Sequence, residues 1–142
     1  MIIINAPTAT GKTELAINLA LEFGGEIISA DSLQVYRYLD IGTAKPSREQ
    51  RNKVKHLLID IVDPNEEFNA DFFAEQARIV IADLARKGKP IFIVGGTGLY
   101  IRALLRGIIE TPTVDENIRN HYRQLRESHG KEYLYNLLQQ KD

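Results

Sequence analysis

The hydrophobic positions of the first hundred residues follow two alternating periodicities. Short apolar runs rich in β-branched residues occur in "MIIIN", "EIISAD", "LLIDIVD" and "GKPIFIVGG". Each run has the length and composition of a buried strand. Between the runs, apolar residues recur at helical spacing. These are Leu15, Ala16, Leu19, Ala20 and Phe23 in the first segment, and Phe73, Ala77, Val80, Ile81 and Leu84 in the longest. Strands that alternate with helices predict a parallel α/β sheet.

Local signals predict where these helices begin and end. Gly24, with a second glycine after it, predicts the end of the first helix. Asn69 or Asp71 is placed to cap the long helix, and Thr97 to cap a helix that begins near Gly98.

The last part of the chain has a different character. In "TPTVDENIRNHYRQLRESHG", Thr113 and Glu116 have the spacing of a capping box, and an apolar stripe at helical spacing follows. Gly130 interrupts that stripe before "KEYLYNLLQQ", which has the composition of a second helix. We therefore predict a core over residues 1–110 and the beginning of a helical module over residues 111–142.

Composition and charge narrow the class of protein. The chain has 142 residues, 44% hydrophobic and 26% charged, with a net charge of -1 and no cysteine. Disulfides and thiolate metal sites are thereby excluded. No apolar run reaches the roughly 18 residues of a membrane span, and "MIIIN" is typical of a strand and not of a signal peptide. We expect a soluble, cytoplasmic protein without a membrane partner.

Residues 5–13, "NAPTATGKT", nearly match the phosphate-loop pattern G-x-x-x-x-G-K-[ST], with Ala6 at the first glycine. The segment lies between a predicted strand and a predicted helix, which is the context the motif requires. Backbone N–H groups of the loop and the helix N-terminus attract an anion. The residues expected to bind the phosphorylated ligand are Ala6, Pro7, Thr8, Ala9, Thr10, Gly11, Lys12 and Thr13.

Two carboxylates are candidates for further chemistry at this site. Asp31 and Asp60 each end a predicted strand, where parallel sheets bind ligands. Either could instead cap a helix or form a turn, and this structural interpretation is stronger for Asp60 than for Asp31. The fourth predicted strand ends in "IVGGTG" without an acid. The loop and the acids alone leave a kinase, a hydrolase and a transferase open.

Longer segments resemble the tRNA dimethylallyltransferase family, also called tRNA isopentenyltransferases. They are "ISADSLQVYRYLDIGTAKPS", "HLLIDIVDP", "FNADFFAEQA" and "VGGTGLYIRALLRG", and the resemblance runs from Ile3 to about Arg123. It implies a P-loop NTPase-like fold. It also implies transfer of a dimethylallyl group from dimethylallyl diphosphate to N6 of an adenosine next to the tRNA anticodon, with release of diphosphate. The family's loop typically begins with glycine, so we expect Ala6 to alter affinity modestly.

The resemblance also implies residue roles. Lys12 and Thr13 are implied to act on the diphosphate, with Thr13 as the Mg²⁺ ligand, and Asp31 to be the general base. The implied contacts with tRNA are Asp31, Ser32, Leu33, Gln34, Thr97 and Arg119. Family members continue well past residue 142, so we expect further site residues beyond this chain, whose 142 residues alone would then be inactive. A monomer that binds the anticodon stem-loop is the expected form.

Other hypotheses stay open at this stage. An adenylate isopentenyltransferase acting on free nucleotide would share the loop and Asp31. An ATP-dependent small-molecule kinase would need phosphate-binding arginines after the fourth strand, where Arg102 and Arg106 stand. A non-catalytic core that binds diphosphate or RNA is a further alternative.

Charge and histidine patterns add two smaller expectations. Residues 37–55 contain six basic and two acidic side chains, a local excess of +4. We expect this segment to contact RNA phosphates. His56, His121 and His129 lack metal-ligand spacing, and we interpret them as structural or surface residues.

Overall fold

A computed structural model describes residues 1–108 and 114–141. The chain divides into two compact units, Met1–Ile108 and Ile109–Asp142, and the described part of the second unit is residues 114–141. The strands are β1 (Ile2–Asn5), β2 (Glu26–Ser29), β3 (His56–Leu57) and β4 (Ile91–Gly95). The helices are α1 (Lys12–Phe23), α2 (Arg48–Lys53), α3 (Ala70–Arg86), α4 (Gly98–Arg106) and α5 (Glu116–Gln139).

The first unit contains a parallel sheet in the order β1-β4-β2-β3. Asn5 pairs with Gly95, and Ser29 pairs with Val94. The carboxyl ends of β1, β4 and β2 therefore lie at nearly the same level. Because ligands of parallel sheets bind at this edge, the loops that follow the three strands are placed to form a site.

Both faces of the sheet are covered by helices. Ile28 and Ile93 pack with α3 and α4 in one core cluster, whereas Ile27 and Phe92 pack with α1 in the other. Successive strand residues point to opposite faces, so strands covered on both sides are apolar throughout. This explains why β4 appears in the sequence as a continuous hydrophobic run, and why all four residues of β2 are buried, Glu26 and Ser29 included.

Helix α3 forms as predicted. The Asn69 side chain accepts a hydrogen bond from the Phe72 N–H at 2.9 Å and caps the first turn. Its buried face includes Phe73, which stacks on Tyr100 of α4 with ring centroids 4.6 Å apart. Burial raises the pKa of Tyr100 to about 12, so this core phenol stays neutral at physiological pH.

The buried face of α1 differs from the predicted one. Ala16, Ile17 and Ala20 face the sheet, whereas Leu15 and Phe23 are more than half exposed. The small alanines let α1 lie close to the sheet. The buried face of α1 is therefore rotated by part of a turn from the face that the spacing of the larger apolar residues predicted. The predicted end is confirmed, because Gly24 adopts a left-handed conformation with φ of 65°.

The predicted third strand is wrong over most of its length. β3 contains only two residues, because Leu58 and Asp60 adopt left-handed conformations with φ of 60° and 56°. Beyond them the isolated bridge between Tyr36 and Val62 continues the parallel pairing. Asp60 therefore does not end a regular strand at the edge of the sheet.

The second unit consists of α5, in which Gly130 has non-helical angles of φ 81° and ψ 175°. The predicted break between two helices is confirmed. Asp115 caps the helix by accepting a hydrogen bond from the Asn117 N–H at 2.9 Å. The expected cap Thr113 lies outside the described residues.

Across residues 1–108 and 114–141, no helix has the length and apolar character needed to cross a membrane.

Candidate active site

The loop between β1 and α1 folds back on its own backbone. The Thr10 hydroxyl donates to the Pro7 carbonyl at 2.8 Å, and the Lys12 ammonium donates to the same oxygen at 3.1 Å. Gly11 has a φ of 80°, and a Cβ there would meet nothing within 4 Å. The glycine is therefore required by the backbone conformation and not by crowding within the protein.

Ala6 is compatible with the loop. Ala6 is not among the described residues that adopt a left-handed backbone conformation, so the position does not require glycine. The Ala6 N–H donates to the Gly95 carbonyl at 3.4 Å, which joins the loop to the end of β4. The methyl group at this position thus causes no backbone strain.

A cleft of about 290 Å³ brings the loop and the second-strand acid together. Its lining residues are Thr8, Ala9, Gly11, Lys12, Thr13, Glu14, Asp31, Gln34, Ala44, Lys45, Pro46 and Gln50. Phosphate-binding groups and a carboxylate therefore line one cleft, at the edge of the sheet where ligands bind.

Asp31 has one carboxylate oxygen engaged and one available. Its Oδ1 accepts hydrogen bonds from the Leu33 N–H at 3.0 Å and the Gln34 N–H at 3.4 Å. Within the described chain, Oδ2 makes no hydrogen bond. Asp31 is thus a turn former, which is one of the two structural roles that its position in the sequence allows. Its second oxygen can also accept a proton from a ligand in the cleft.

Thr97 connects the carboxyl ends of β4 and β2. Its Oγ1 accepts from the Ser32 N–H at 3.0 Å and lies 3.3 Å from the Ser32 hydroxyl. Its own N–H donates to the Ala30 carbonyl at 3.2 Å. Thr97 occupies the N-cap position of α4, but its side chain makes no capping hydrogen bond. The expected capping by the Thr97 side chain is wrong, because the Thr97 hydroxyl is hydrogen-bonded to Ser32 instead of to an N–H group of α4.

Gly95 allows this close approach. A Cβ on Gly95 would lie 2.0 Å from the Ala30 carbonyl oxygen, a distance that no side chain can occupy. The glycine at the end of β4 therefore sets the spacing of the two strand ends that carry Thr97 and Asp31.

The residues expected to contact RNA lie in different environments. Leu33 is 50% exposed, whereas Gln34 is 8% exposed. The Gln34 side chain accepts from the Ser29 hydroxyl at 2.9 Å and donates to the Ala44 carbonyl at 3.0 Å. It therefore links β2 to the loop over the cleft. Arg119 is exposed on α5 in the second unit, 4.0 Å from Glu116.

Asp60 forms an ion cluster instead of a ligand site. Its carboxylate lies 2.7 Å from the Lys45 ammonium and 2.6 Å from the Arg51 guanidinium. Burial raises the pKa of Asp60, but hydrogen bonds from Lys45 and Arg51 outweigh it and hold the pKa below its usual value. The candidate role of Asp60 as a reacting acid is replaced by a structural one.

Lys45 is a cleft residue that sequence reasoning missed. Its side chain is 2% exposed and also donates to the Tyr36 carbonyl at 2.6 Å. In the sequence it is one of six basic residues between positions 37 and 55, and no local signal distinguishes it. Only the burial of its ammonium, which bonds to Tyr36 and Asp60, distinguishes Lys45 as a structural residue of the cleft lining.

The local excess of positive charge is mostly paired within the fold. Arg37 lies 3.1 Å from Asp63, and Lys53 lies 2.8 Å from Glu49. Of the six basic residues, Arg48 alone makes no ion pair with any residue that the structure describes. The segment therefore offers fewer unpaired cations than its charge count suggested.

The donor set fits Mg²⁺ better than a transition metal. Among residues 1–108 and 114–141, no group of three His, Cys, Asp or Glu side chains could hold a metal ion. Mg²⁺ is commonly bound through one or two protein oxygens together with substrate phosphates. The Thr13 hydroxyl, in the cleft beside Lys12, supplies such an oxygen.

Comparison with known proteins places these features in one family. The family model described as IPP transferase matches residues 34–142, and the model described as isopentenyl transferase matches residues 1–62. The chain is 56% identical over its full length to tRNA dimethylallyltransferase 2 of Syntrophus aciditrophicus, covering 46% of that protein. It is 54% identical to the protein of that name in Geotalea uraniireducens, with 94% of this chain and 43% of the relative covered. The chain thus spans less than half the length of the curated relatives it matches.

Solved structures agree. The tRNA isopentenylpyrophosphate transferase of Bacillus halodurans matches with a TM-score of 0.74 and 40% identity, over 99% of this chain and 47% of that one. A eukaryotic dimethylallyltransferase described as acting on tRNA matches with a TM-score of 0.75 and 32% identity, over 82% of this chain and 30% of that one. The predicted P-loop NTPase-like fold is confirmed. The chain belongs to the IPP transferase family of tRNA dimethylallyltransferases.

Proposed function

We propose that the protein transfers a dimethylallyl group from dimethylallyl diphosphate to N6 of an adenosine next to the anticodon of tRNA, and releases diphosphate. The observation that carries this proposal is the single cleft lined by Lys12, Thr13 and Asp31. The names of the relatives favour tRNA over a free nucleotide as the acceptor and a prenyl diphosphate over ATP as the donor.

The loop residues Ala6 to Thr13 bind the leaving group. Departure of diphosphate builds negative charge, which the loop N–H groups and the Lys12 ammonium stabilise. Mg²⁺ held by the Thr13 hydroxyl would neutralise part of the same charge. The loop therefore stabilises the transition state of prenyl transfer, in which diphosphate departs, and does not serve to hydrolyse a nucleotide.

Asp31 acts on the acceptor. The N6 lone pair forms a bond to C1 of the dimethylallyl group as the C1–O bond to diphosphate breaks. As this bond forms, the nitrogen loses a proton, which the free Oδ2 of Asp31 accepts. Because the exocyclic amine is conjugated with the ring, removal of this proton as the bond forms lowers the barrier.

The target base has to leave its stack to reach the cleft. Ser32, Leu33, Gln34 and Thr97 lie where they can contact it or shape its pocket, and Arg119 contacts tRNA from the helical insert of residues 111–142. The core of residues 1–110 and this insert act together in a monomeric, cytoplasmic enzyme whose partner is the anticodon stem-loop.

The test is a transfer assay with the full-length protein, Mg²⁺, dimethylallyl diphosphate and an anticodon stem-loop RNA. We expect one dimethylallyl group added per RNA, detected by mass, and one diphosphate released. Asp31→Asn, which retains an oxygen for the turn, should lower the rate by about 10²- to 10⁴-fold while diphosphate affinity is unchanged. Modification of free AMP but not of RNA would contradict the proposal, as would an Asp31→Asn variant with full activity.

A further inference from the structure

His56 lies behind the phosphate loop, and its hydrogen bonds fix its tautomer. Its Nδ1 lies 2.8 Å from the Val54 carbonyl oxygen. A carbonyl can only accept, so Nδ1 carries the hydrogen and Nε2 carries the lone pair of the neutral ring. Burial, the largest influence, lowers the pKa of His56 and favours that neutral form.

The acceptor nitrogen of His56 lacks a protein partner. Nε2 is buried and makes no hydrogen bond to any residue that the structure describes. The ring lines a cavity of about 20 Å³ beneath the loop, together with Lys12, Thr13, Ser29 and Gln34. A buried acceptor without a donor is costly, so a hydrogen-bond donor is expected there.

Among the side-chain donors that the described residues bring to this cavity, the Thr13 hydroxyl is the one without a partner. Ser29 and Gln34 are engaged, and Lys12 uses one of its three hydrogens. The Ser29 hydroxyl donates to Gln34, the Gln34 amide donates to the Ala44 carbonyl, and the Lys12 ammonium donates to the Pro7 carbonyl. The hydroxyl of Thr13 makes no hydrogen bond within residues 1–108. A cavity of this size can also hold one bridging water.

A threonine hydroxyl that offers its oxygen to a cation must send its hydrogen to another acceptor. In P-loop NTPases a carboxylate at the end of a neighbouring strand lies beside the metal. Here β4 ends in Val94 and Gly95, so that strand supplies no acid. His56 on β3, which β4 and β2 separate from β1, lines the same cavity as Thr13 and brings an imidazole lone pair to it.

We propose that His56 is a positioning residue of the diphosphate site: its Nε2 accepts the hydrogen of the Thr13 hydroxyl, directly or through one water, and thereby turns the Thr13 oxygen toward Mg²⁺-diphosphate in the cleft. The inference rests on the proposed function for the ligand, but it concerns binding and not transfer. It goes beyond the sequence interpretation of His56 as a structural or surface residue.

Two variants separate the two nitrogens of the ring. His56→Asn places an amide near the Nδ1 position and loses the distal acceptor, whereas His56→Gln places an amide oxygen near the Nε2 position. With the full-length protein and inorganic diphosphate as the calorimetric probe, we expect His56→Asn to bind about three- to tenfold more weakly in Mg²⁺. His56→Gln should bind within about twofold of the native protein. Equal affinities of the two variants would overturn the inference.

A double-mutant cycle with Thr13→Val tests the coupling. If His56 acts through Thr13, His56→Asn has no further effect in the Thr13→Val background, and the difference between Asn and Gln disappears when Mg²⁺ is removed with a chelator. Additive effects, or the same loss of affinity without Mg²⁺, would mean that His56 only supports the fold. Unfolding in urea, measured for each variant, identifies changes in stability.

A measurement on the native protein covers the case in which the variants fail to fold. The nitrogen chemical shifts of labelled His56 should be those of an unprotonated Nε2 that accepts a hydrogen bond, and the shift should move in Thr13→Val. A protonated Nε2 would overturn the inference. Native protein that binds diphosphate without transferring a prenyl group would instead contradict the proposed function alone.

Discussion

Lys12 shows how one side chain can serve both the free and the ligand-bound loop. Its ammonium donates to the Pro7 carbonyl at 3.1 Å, which uses one of its three hydrogens. The other two remain available to phosphate oxygens in the cleft that Lys12 lines. Lys12 thus makes a hydrogen bond to the loop backbone and is also proposed to bind the ligand of the loop.

Replacement of Lys12 should therefore weaken both binding and transfer. For Lys12→Ala we expect an affinity for Mg²⁺-diphosphate lower by about 10- to 100-fold, the range for hydrogen bonds to charged groups. Calorimetric titration of the purified variant measures the change. Lys87→Ala, at the end of α3, is a matched control that should bind normally. Unchanged affinity in Lys12→Ala would contradict the assigned role of the loop.

At the scale of single residues, sequence reasoning placed a side chain correctly where its position depends on its neighbours in the chain. Gly11, Lys12 and Thr13 belong to one contiguous motif, and its geometry follows from the strand and helix around it. The burial of Gln34 and Lys45 depends on contacts with residues distant in sequence. Neither could be predicted from a segment in which polar and apolar residues alternate without a helix or strand period.

Between elements, the end of β4 determines how close α4 lies to β2. The glycine at position 95 is needed because a Cβ would lie 2.0 Å from the Ala30 oxygen. A methyl group on Gly96 would have the Ala6 oxygen as its nearest atom, at 3.5 Å, which is an ordinary contact. The two adjacent glycines therefore form a matched pair for experiment.

Gly95→Ala should destabilise the protein by about 1–3 kcal/mol, because the strand ends must separate to admit a methyl group. Separation displaces Asp31, so the rate of transfer should fall as well. Gly96→Ala should leave both quantities nearly unchanged. Urea unfolding and transfer assays measure them, and equal behaviour of the two variants would argue against the close approach as the reason for glycine.

The ion cluster of Asp60 with Lys45 and Arg51 makes a contribution to stability that depends on pH. The folded-state pKa of Asp60 is lowered, so its contribution is present above the unfolded value of about 3.9 and is lost as pH falls through the folded value. Asp60→Asn should cost about 1–2 kcal/mol at pH 7, less than a fully buried pair because the side chain is 31% exposed.

The measurement is urea unfolding of the native protein and of Asp60→Asn between pH 7 and about pH 3. The difference in the free energy of unfolding should be constant near neutrality and shrink at the acid end. A difference that grows as the pH falls would reverse the predicted sign and exclude a stabilising ionised Asp60.

The same cluster explains why the prediction of the third strand was wrong. Hydrophobic residues in "LLIDIVD" have the composition of a strand, but the chain turns at Leu58 and Asp60 to bring the carboxylate to Lys45 and Arg51. Composition favours the strand locally, whereas the ion pairs are made with residues at least nine positions away. Pattern reasoning has no access to contacts of that kind.

For the whole molecule, the order of strands and helices and the resemblance to a family were both available from the sequence. Strands buried on two faces leave continuous apolar runs, and a phosphate loop leaves a contiguous motif. The net charge of the basic segment was misleading, because its partners Asp60 and Asp63 lie outside it and the structure pairs them with Lys45, Arg51 and Arg37. Charge counts cannot distinguish a surface that attracts RNA from one that is internally neutralised.

The most direct test of the central claim, that the loop binds the diphosphate of a prenyl donor as a leaving group, is calorimetric titration of the full-length protein in Mg²⁺ with dimethylallyl diphosphate and, separately, with ATP. We predict clear binding of the prenyl diphosphate and much weaker binding of ATP. A preference for ATP would contradict the account and indicate a kinase.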